Sequence, residues 1–214
     1  MKKYRIGIVG ATGAVGQEII HLLEKREFPV SEARLLASSR SADLEMDACG
    51  NREKIIETNA DSFKGLDMAI FSSGSDISIK YAEDARKQGC VVIDNSSAFR
   101  MDPQVPLVIP EINLSDLEDH KGIIANPNCS TAVTLMGLYP LHKRFGLKRL
   151  ITSTYQAVSG AGAAGLTTLL NELDESQTSE PNPQDSPFPY PIAYNLIPHI
   201  DDFRDDGYTK EELK

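Results

Sequence analysis

The stretch Ala125-Asn126-Pro127-Asn128-Cys129-Ser130-Thr131-Ala132 puts a sulfur nucleophile where local structure can activate it. A short apolar strand signal, Gly122-Ile123-Ile124-Ala125, precedes it, and a helical pattern with Val133, Met136, Gly137 and Pro140 follows. Pro127 and Asn128 set a turn between the two, so Cys129 is expected at the start of a helix. Backbone N–H groups at a helix N-terminus are unpaired, and the helix dipole places partial positive charge there. Both effects favour a thiolate over a thiol, and the same donors can hold a developing oxyanion. A lone cysteine is more often a packing residue. The polar neighbours Asn128, Ser130 and Thr131 argue against plain core, and Cys129 is read as a nucleophile.

A thiol nucleophile usually works with a general base. Of the four histidines, His21 falls on an early helix, and His120 and His142 lie in charged settings. His199, in Ile197-Pro198-His199-Ile200, is a loose candidate, and none of the four is read as a base.

The elements that must position this chemistry begin at the amino terminus. Arg5-Ile6-Gly7-Ile8-Val9 reads as a buried strand, followed at once by Gly10-Ala11-Thr12-Gly13-Ala14-Val15-Gly16. Val15, Ile19, Ile20, Leu22 and Leu23 then give a helix face. Strand, glycine turn and helix form the context of a phosphate-cradling loop, because glycine lets the backbone approach a pyrophosphate and the helix N-terminus supplies donors. The spacing G-x-x-G-x-x-G is one residue longer than the standard dinucleotide fingerprint. Ala33-Arg34-Leu35-Leu36-Ala37 is the second strand, but no carboxylate ends it to bond a ribose 2′-hydroxyl. Ser38-Ser39-Arg40-Ser41 stands there instead, and a guanidinium among hydroxyls suits a 2′-phosphate, favouring NADP over NAD.

Residues 43–66 read as hairpin and loop. Asp67-Met68-Ala69-Ile70-Phe71 is a further buried strand ending in Ser72-Ser73-Gly74, and a helix is expected from Ile77 to about Gln88. Cys90-Val91-Val92-Ile93-Asp94 is the fourth strand, with Cys90 as core; Asn95-Ser96-Ser97-Ala98-Phe99-Arg100 follows at its carboxyl end. Arg100 there can clamp an anion, or equally form a surface salt bridge. The β/α alternation predicts a parallel sheet with helices on both faces. Arg149-Leu150-Ile151-Thr152-Ser153-Thr154-Tyr155-Gln156 reads as a strand with one wetter face. Ala157-Val158-Ser159-Gly160-Ala161-Gly162-Ala163-Ala164-Gly165 is a second glycine-rich loop, with Leu166, Leu169, Leu170 and Leu173 on a helix behind it. Residues 181–191 hold five prolines and read as an extended loop.

Totals bound the answer. At 214 residues the chain is one large domain, or one domain and part of a second. With 22 basic and 31 acidic residues the net charge is −9, the wrong sign for a nucleic-acid surface. Three cysteines form neither a C-x-x-C pair nor an even disulfide set, which fits reducing cytoplasm, and no metal site is expected. The basic start Met1-Lys2-Lys3-Tyr4-Arg5 precedes an apolar run too short for a signal peptide or membrane span.

Four features stand in order: the glycine loop, Ser39-Arg40-Ser41, Asn126-Pro127-Asn128-Cys129-Ser130-Thr131 and Gln156-Ala157-Val158-Ser159-Gly160-Ala161-Gly162. Together they closely resemble the aspartate-β-semialdehyde dehydrogenases, from Tyr4 through Glu211-Glu212-Leu213-Lys214. The related N-acetyl-γ-glutamyl-phosphate reductases carry Gly before the cysteine and Tyr after it, so Asn128 and Ser130 favour the aspartate enzymes. The resemblance implies a Rossmann-like parallel sheet over residues 1–128, binding NADP. Residues 129–214 are then the incomplete start of a second, α+β catalytic and dimerisation domain. It implies interconversion of L-aspartate β-semialdehyde plus phosphate with β-aspartyl phosphate through a Cys129 thioester, in lysine, threonine and methionine biosynthesis. Thr12, Gly13, Ala14 and Val15 would cradle the pyrophosphate, Arg40 and Ser41 the 2′-phosphate, and Ser159 and Gly160 the nicotinamide side. Arg100 and Lys214 would bind phosphate, Gln156 would position the substrate, and Glu211 would meet its amino group. Family members continue beyond this length with a catalytic His and a substrate-binding Arg, and assemble as homodimers or dimer-based tetramers. The chain is therefore expected to be the amino-terminal part of such an enzyme. A catalytically dead NADP-binding module and the acetylglutamyl-phosphate reductase stay open beside it.

Overall fold

The computed structural model describes residues 2–174 and 186–213. Two compact units divide the chain, residues 1–150 and 151–214. The first contains a six-stranded sheet in which β1 (Tyr4–Val9), β2 (Val30–Ala37), β5 (Ile56–Glu57), β6 (Met68–Phe71), β7 (Val91–Asp94) and β8 (Ile123–Ala125) run in the order β5-β2-β1-β6-β7-β8. Every pairing in this sheet is parallel, as the β/α alternation predicts. From β1 the chain first builds outward through β2, then returns to the other side of β1 with β6. The gap between the carboxyl ends of β1 and β6 is therefore the topological switch point, where open α/β sheets bind ligands. A hairpin of β3 (Glu45–Ala48) and β4 (Asn51–Lys54) fills part of the connection 43–66.

Burial on both faces explains why the strands read as continuous apolar runs. Ile6, Ile8, Leu35 and Ile20, the last on α1 (Ala14–Lys25), form one core cluster. Val9, Leu36, Phe71 and Val92 form the other, with Ala82 and Ala85 of α2 (Ser75–Lys87). Phe63 stacks on Phe71 there, ring centroids 5.6 Å apart. Cys90 lies in this second cluster, as expected of a core residue. The outer edge of β8 is covered: Ala125 N donates to Pro106 O at 2.9 Å and Val108 N to Ala125 O at 3.0 Å.

After β8 come α4 (Cys129–Phe145) and, in the second unit, α5 (Gly162–Leu173). The short α3 (Pro110–Asn113) precedes β8, and Tyr139 of α4 donates to its Ile112 carbonyl. The strand expected over Arg149–Gln156 does not form; the segment is exposed and pairs with no strand among the described residues. Its β-branched composition matches a strand, but a strand exists only when a neighbour takes its backbone hydrogen bonds. No described helix is long and apolar enough to cross a membrane.

Two glycines separate tight backbone packing from open surface. A Cβ on Gly16 would lie 2.2 Å from the Gly10 carbonyl oxygen, whereas one on Gly137, exposed in α4, meets nothing within 4 Å. Gly16→Ala is expected to lower the unfolding free energy in urea by about 2 kcal/mol through overpacking. Gly137→Ala should raise it by up to ~1 kcal/mol through helix propensity.

Candidate functional site

The glycine loop sits at the switch point and is tied there by backbone bonds on both sides. Gly10 N and Ala11 N donate to Leu36 O of β2 at 2.8 and 3.1 Å, while Ser72 N and Ser72 Oγ donate to Val9 O at 2.9 and 2.8 Å. Gly10 has φ +84°, and a Cβ there would press on the Ser72–Ser73 backbone at 3.1 Å. Only glycine meets both demands. Gly13 is the residue before α1, with its N–H bonded to Gly10 O at 3.0 Å, and Gln17 Nε2 closes the loop onto Thr12 O at 2.9 Å. Thr12 and Gly13 are half-buried, and Ala14 and Val15 are exposed in the first helical turn. A bare backbone surface with unpaired first-turn N–H groups fits a pyrophosphate. Beyond β2, Ser39–Ser41 form a single 3-10 turn in which Arg40 is exposed. The Arg40 guanidinium and the Ser39 and Ser41 hydroxyls form no hydrogen bond among the described residues.

Cys129 is the first residue of α4, and its thiol is exposed. Asn128 caps the helix, its side-chain oxygen accepting from Ser130 N at 2.9 Å and Thr131 N at 3.3 Å. Such a cap fixes the direction in which the helix leaves the turn. Arg100 reaches the same turn: Nε donates to Asn126 O at 2.9 Å and Nη2 to Asn95 O at 3.1 Å. Asn126 Nδ2 donates to Asn95 Oδ1 at 2.5 Å, and Asn126 N to Asp94 O at 2.8 Å. The loops leaving β7 and β8 are thus one bonded assembly carrying the guanidinium and, three residues beyond Asn126, the thiol.

The second unit holds the remaining expected residues. Gln156 Nε2 donates to Glu211 Oε1 at 3.2 Å, so two residues expected at the substrate are paired across 55 positions of sequence. Ser159 and Gly160 lie in a 3-10 turn, Val158–Ala161, that leads into α5. Lys214 lies outside the described residues, as does much of the proline-rich stretch.

Three of the four histidines make contacts within their own surroundings. His120 Nδ1 accepts from Gly122 N at 3.1 Å, His142 Nδ1 accepts from Leu147 N at 3.2 Å beyond the end of α4, and His199 packs on Phe203. Sequence reasoning missed Asn95 and the buried Asp94 beneath it. The available signal was a carboxylate closing the apolar run Val91-Val92-Ile93, with hydroxyl residues directly after.

Comparisons with known proteins agree with this layout. The semialdehyde dehydrogenase NAD-binding domain matches residues 5–120, and the semialdehyde dehydrogenase dimerisation domain matches residues 138–214. The aspartate-semialdehyde dehydrogenase of Aquifex aeolicus is 50% identical, over 99% of this chain and 63% of its own length. Aspartate semialdehyde dehydrogenase II of Vibrio cholerae, solved in complex with ASA, superposes with a TM-score of 0.88 at 40% identity, over 100% of this chain and 64% of that one. The aspartate semialdehyde dehydrogenase of Candida albicans, solved with NADP, has a TM-score of 0.54 at 26% identity, over 68% of this chain and 48% of that one. The chain spans just under two thirds of the length of the Aquifex relative, 63%.

The three thiols differ in environment. Burial, with Asp67 adding to it, pushes Cys90 up to about 12. Burial raises Cys49 as well, with Glu24 and Glu53 adding to it. Iodoacetamide at pH 8 should therefore label Cys129 first, Cys49 more slowly and Cys90 only on unfolding, as read by peptide mass spectrometry. Asn128→Ala should cost about 1 kcal/mol of stability in urea through loss of the cap.

Proposed function

Because the chain belongs to the semialdehyde dehydrogenase family, alongside the aspartate-semialdehyde dehydrogenases, we propose that it interconverts L-aspartate β-semialdehyde and β-aspartyl phosphate with NADP. The observation that carries this reading is the assembly around Cys129: an exposed thiol opening a capped helix, with a guanidinium fixed in the turn before it. A thiol in that position suits attack on an aldehyde, and a guanidinium suits an attacking or leaving phosphate.

In the oxidative direction the Cys129 sulfur attacks the aldehyde carbon, forming the C–S bond of a thiohemiacetal. The Ser130 and Thr131 N–H groups are taken by Asn128, which leaves the N–H of Cys129 itself to stabilise the developing oxyanion. Bound NADP⁺ supplies the hydride acceptor, and Cys129 is left carrying the acyl group as a thioester. Arg100, with Lys214 as its partner, holds inorganic phosphate. A phosphate oxygen attacks the thioester carbon, the C–S bond breaks, and Cys129 leaves as thiolate with β-aspartyl phosphate released. The biosynthetic direction is the reverse, and it leads towards lysine, threonine and methionine. Gln156 positions the substrate and Glu211 meets its amino group; their hydrogen bond supports assigning them to one ligand.

Thr12, Gly13, Ala14 and Val15 hold the pyrophosphate, and Arg40 and Ser41 the 2′-phosphate. Ser159 and Gly160 take the nicotinamide side. NADP over NAD is supported by the absence of a carboxylate after β2 and by the guanidinium and hydroxyls in its place. The nucleotide-binding part is assigned to residues 1–128 and the catalytic and dimerisation part to 129–214, with a homodimer or dimer-based tetramer as the assembly. Three thiols without disulfides support a reducing cytoplasmic setting.

The test is NADP⁺ reduction with L-aspartate β-semialdehyde, with and without phosphate. Phosphate-dependent turnover abolished by Cys129→Ala is expected, from the chain alone or once a carboxyl-terminal half carrying the family's His is added. NADP⁺ binding without turnover would leave a nucleotide-binding module, and turnover only with the acetylglutamyl substrate would reassign the enzyme. Arg40→Ala should weaken NADP⁺ binding roughly 10- to 100-fold, the loss of charge-assisted hydrogen bonds, and leave NAD⁺ binding unchanged.

A further inference from the structure

Asp94 is a fully buried carboxylate to which the reaction above gives no part. It ends β7, in the middle of the assembly that holds Arg100 and the turn before Cys129. Ser78 of α2 donates its hydroxyl to Asp94 Oδ1 at 2.6 Å, Ser96 N donates to the same oxygen at 3.2 Å, and Ser96 Oγ donates to Oδ2 at 2.8 Å. Ser96 Oγ in turn accepts from Ala98 N at 3.1 Å, so the carboxylate sets the path of the chain leaving β7. That path ends at Arg100, whose bonds to Asn95 O and Asn126 O join it to the turn carrying Cys129. The backbone of Asp94 is bonded into that turn as well, through Asn126 N at 2.8 Å.

A buried carboxylate is costly unless its oxygens are satisfied, so a residue with no task beyond filling space would be apolar. Among the described residues no cation forms an ion pair with Asp94; hydroxyl and amide donors satisfy it. Both oxygens are used, and both lead into residues 95–98 or back to α2. Those donors convert one rigid strand end into a fixed geometry for a flexible loop.

We propose that Asp94 is a positioning residue for the phosphate and thiol end of the site: with Ser78 and Ser96 it fixes the loop that presents Arg100 to phosphate and steadies the turn before Cys129. The proposal rests on the reading of Arg100 as a phosphate ligand. Asparagine can reproduce the arrangement, since its Oδ1 accepts from Ser78 and Ser96 N and its amide can donate to Ser96 Oγ. Alanine cannot.

The test measures three quantities on the protein and on Asp94→Asn, Asp94→Ala and Ser96→Ala. They are the phosphate concentration that half-protects Cys129 from iodoacetamide, the dissociation constant for NADP⁺, and amide exchange at Ser96, Ala98 and Asn126. In Asp94→Ala the half-protecting phosphate concentration should rise at least about tenfold, the loss expected when hydrogen bonds to a charged group are removed, with NADP⁺ affinity kept. Ser96→Ala should fall between it and the wild type, and Asp94→Asn close to the wild type. Unchanged phosphate protection in Asp94→Ala, equal weakening of phosphate and NADP⁺, or an asparagine variant as impaired as the alanine one would each overturn the proposal. Where phosphate fails to protect Cys129 even in the wild type, the phosphate reading of Arg100 has failed, and amide exchange then decides. Faster exchange at the three amides in Asp94→Ala, with the glycine loop unchanged, supports positioning; unchanged exchange ends it.

Discussion

A parallel sheet delivers the carboxyl end of every strand to one edge, and the first unit depends on that constraint. Gly10, Ser72, Asn95 and Asn126 each leave a strand there, in the lateral order β1, β6, β7, β8. Residues as far apart as Val9 and Ser72 can then be tied by short backbone links, because the strands have already fixed their spacing. Ser72 donates to Val9 O, Asn95 N to Phe71 O and Asn126 N to Asp94 O, each link stepping one strand further along the edge. Antiparallel pairing of any one of these strands would send its loop to the opposite edge. The hydrophobic clusters on the two faces exist to hold this alignment. Burying one Phe or Leu side chain there contributes about 1.5–3 kcal/mol, more than any single link along the edge.

The polar edge is held differently from the apolar faces. Arg100 grips two carbonyl oxygens, which carry no formal charge. Asp94 is buried under the loop and satisfied by hydroxyl and amide donors.

Much of this was legible because it follows from local rules. Five strands of the sheet, the glycine loop and a helix opening at Cys129 were readable from apolar runs and turn residues. β5 was not, since Ile56–Glu57 is two residues long and owes its existence to Leu36 and Ala37 beside it. Arg149–Gln156 failed in the opposite sense: the composition is that of a strand and no partner is present among the described residues. Strand propensity describes fit to a sheet and cannot report whether one is there. The Asp94 network was hidden for a third reason. Ser78 and Asp94 are 16 positions apart, and only the packing of α2 on β7 brings the hydroxyl to the carboxylate.

The three cysteines show how far local context decides chemistry. Cys90 follows Gly89, at φ +79°, and immediately precedes β7, so its neighbours Val91, Val92 and Ile93 enter the sheet and draw the sulfur into the core. Cys49 occupies a hairpin turn at φ +51°, a conformation costly for a side-chain-bearing residue, and sits near Glu24 and Glu53, which oppose ionisation. Both thiols are held in their protonated form by surroundings that serve packing. Cys129 alone opens a long helix, with Asn128 spending its side chain on the second and third N–H groups of the turn. Capping there stabilises the helix and leaves the sulfur on the surface, where a substrate can reach it. The surroundings of each thiol are therefore set by element boundary: the cysteine before a strand is buried, the one in a hairpin lies near acids, and the one at a helix start is exposed.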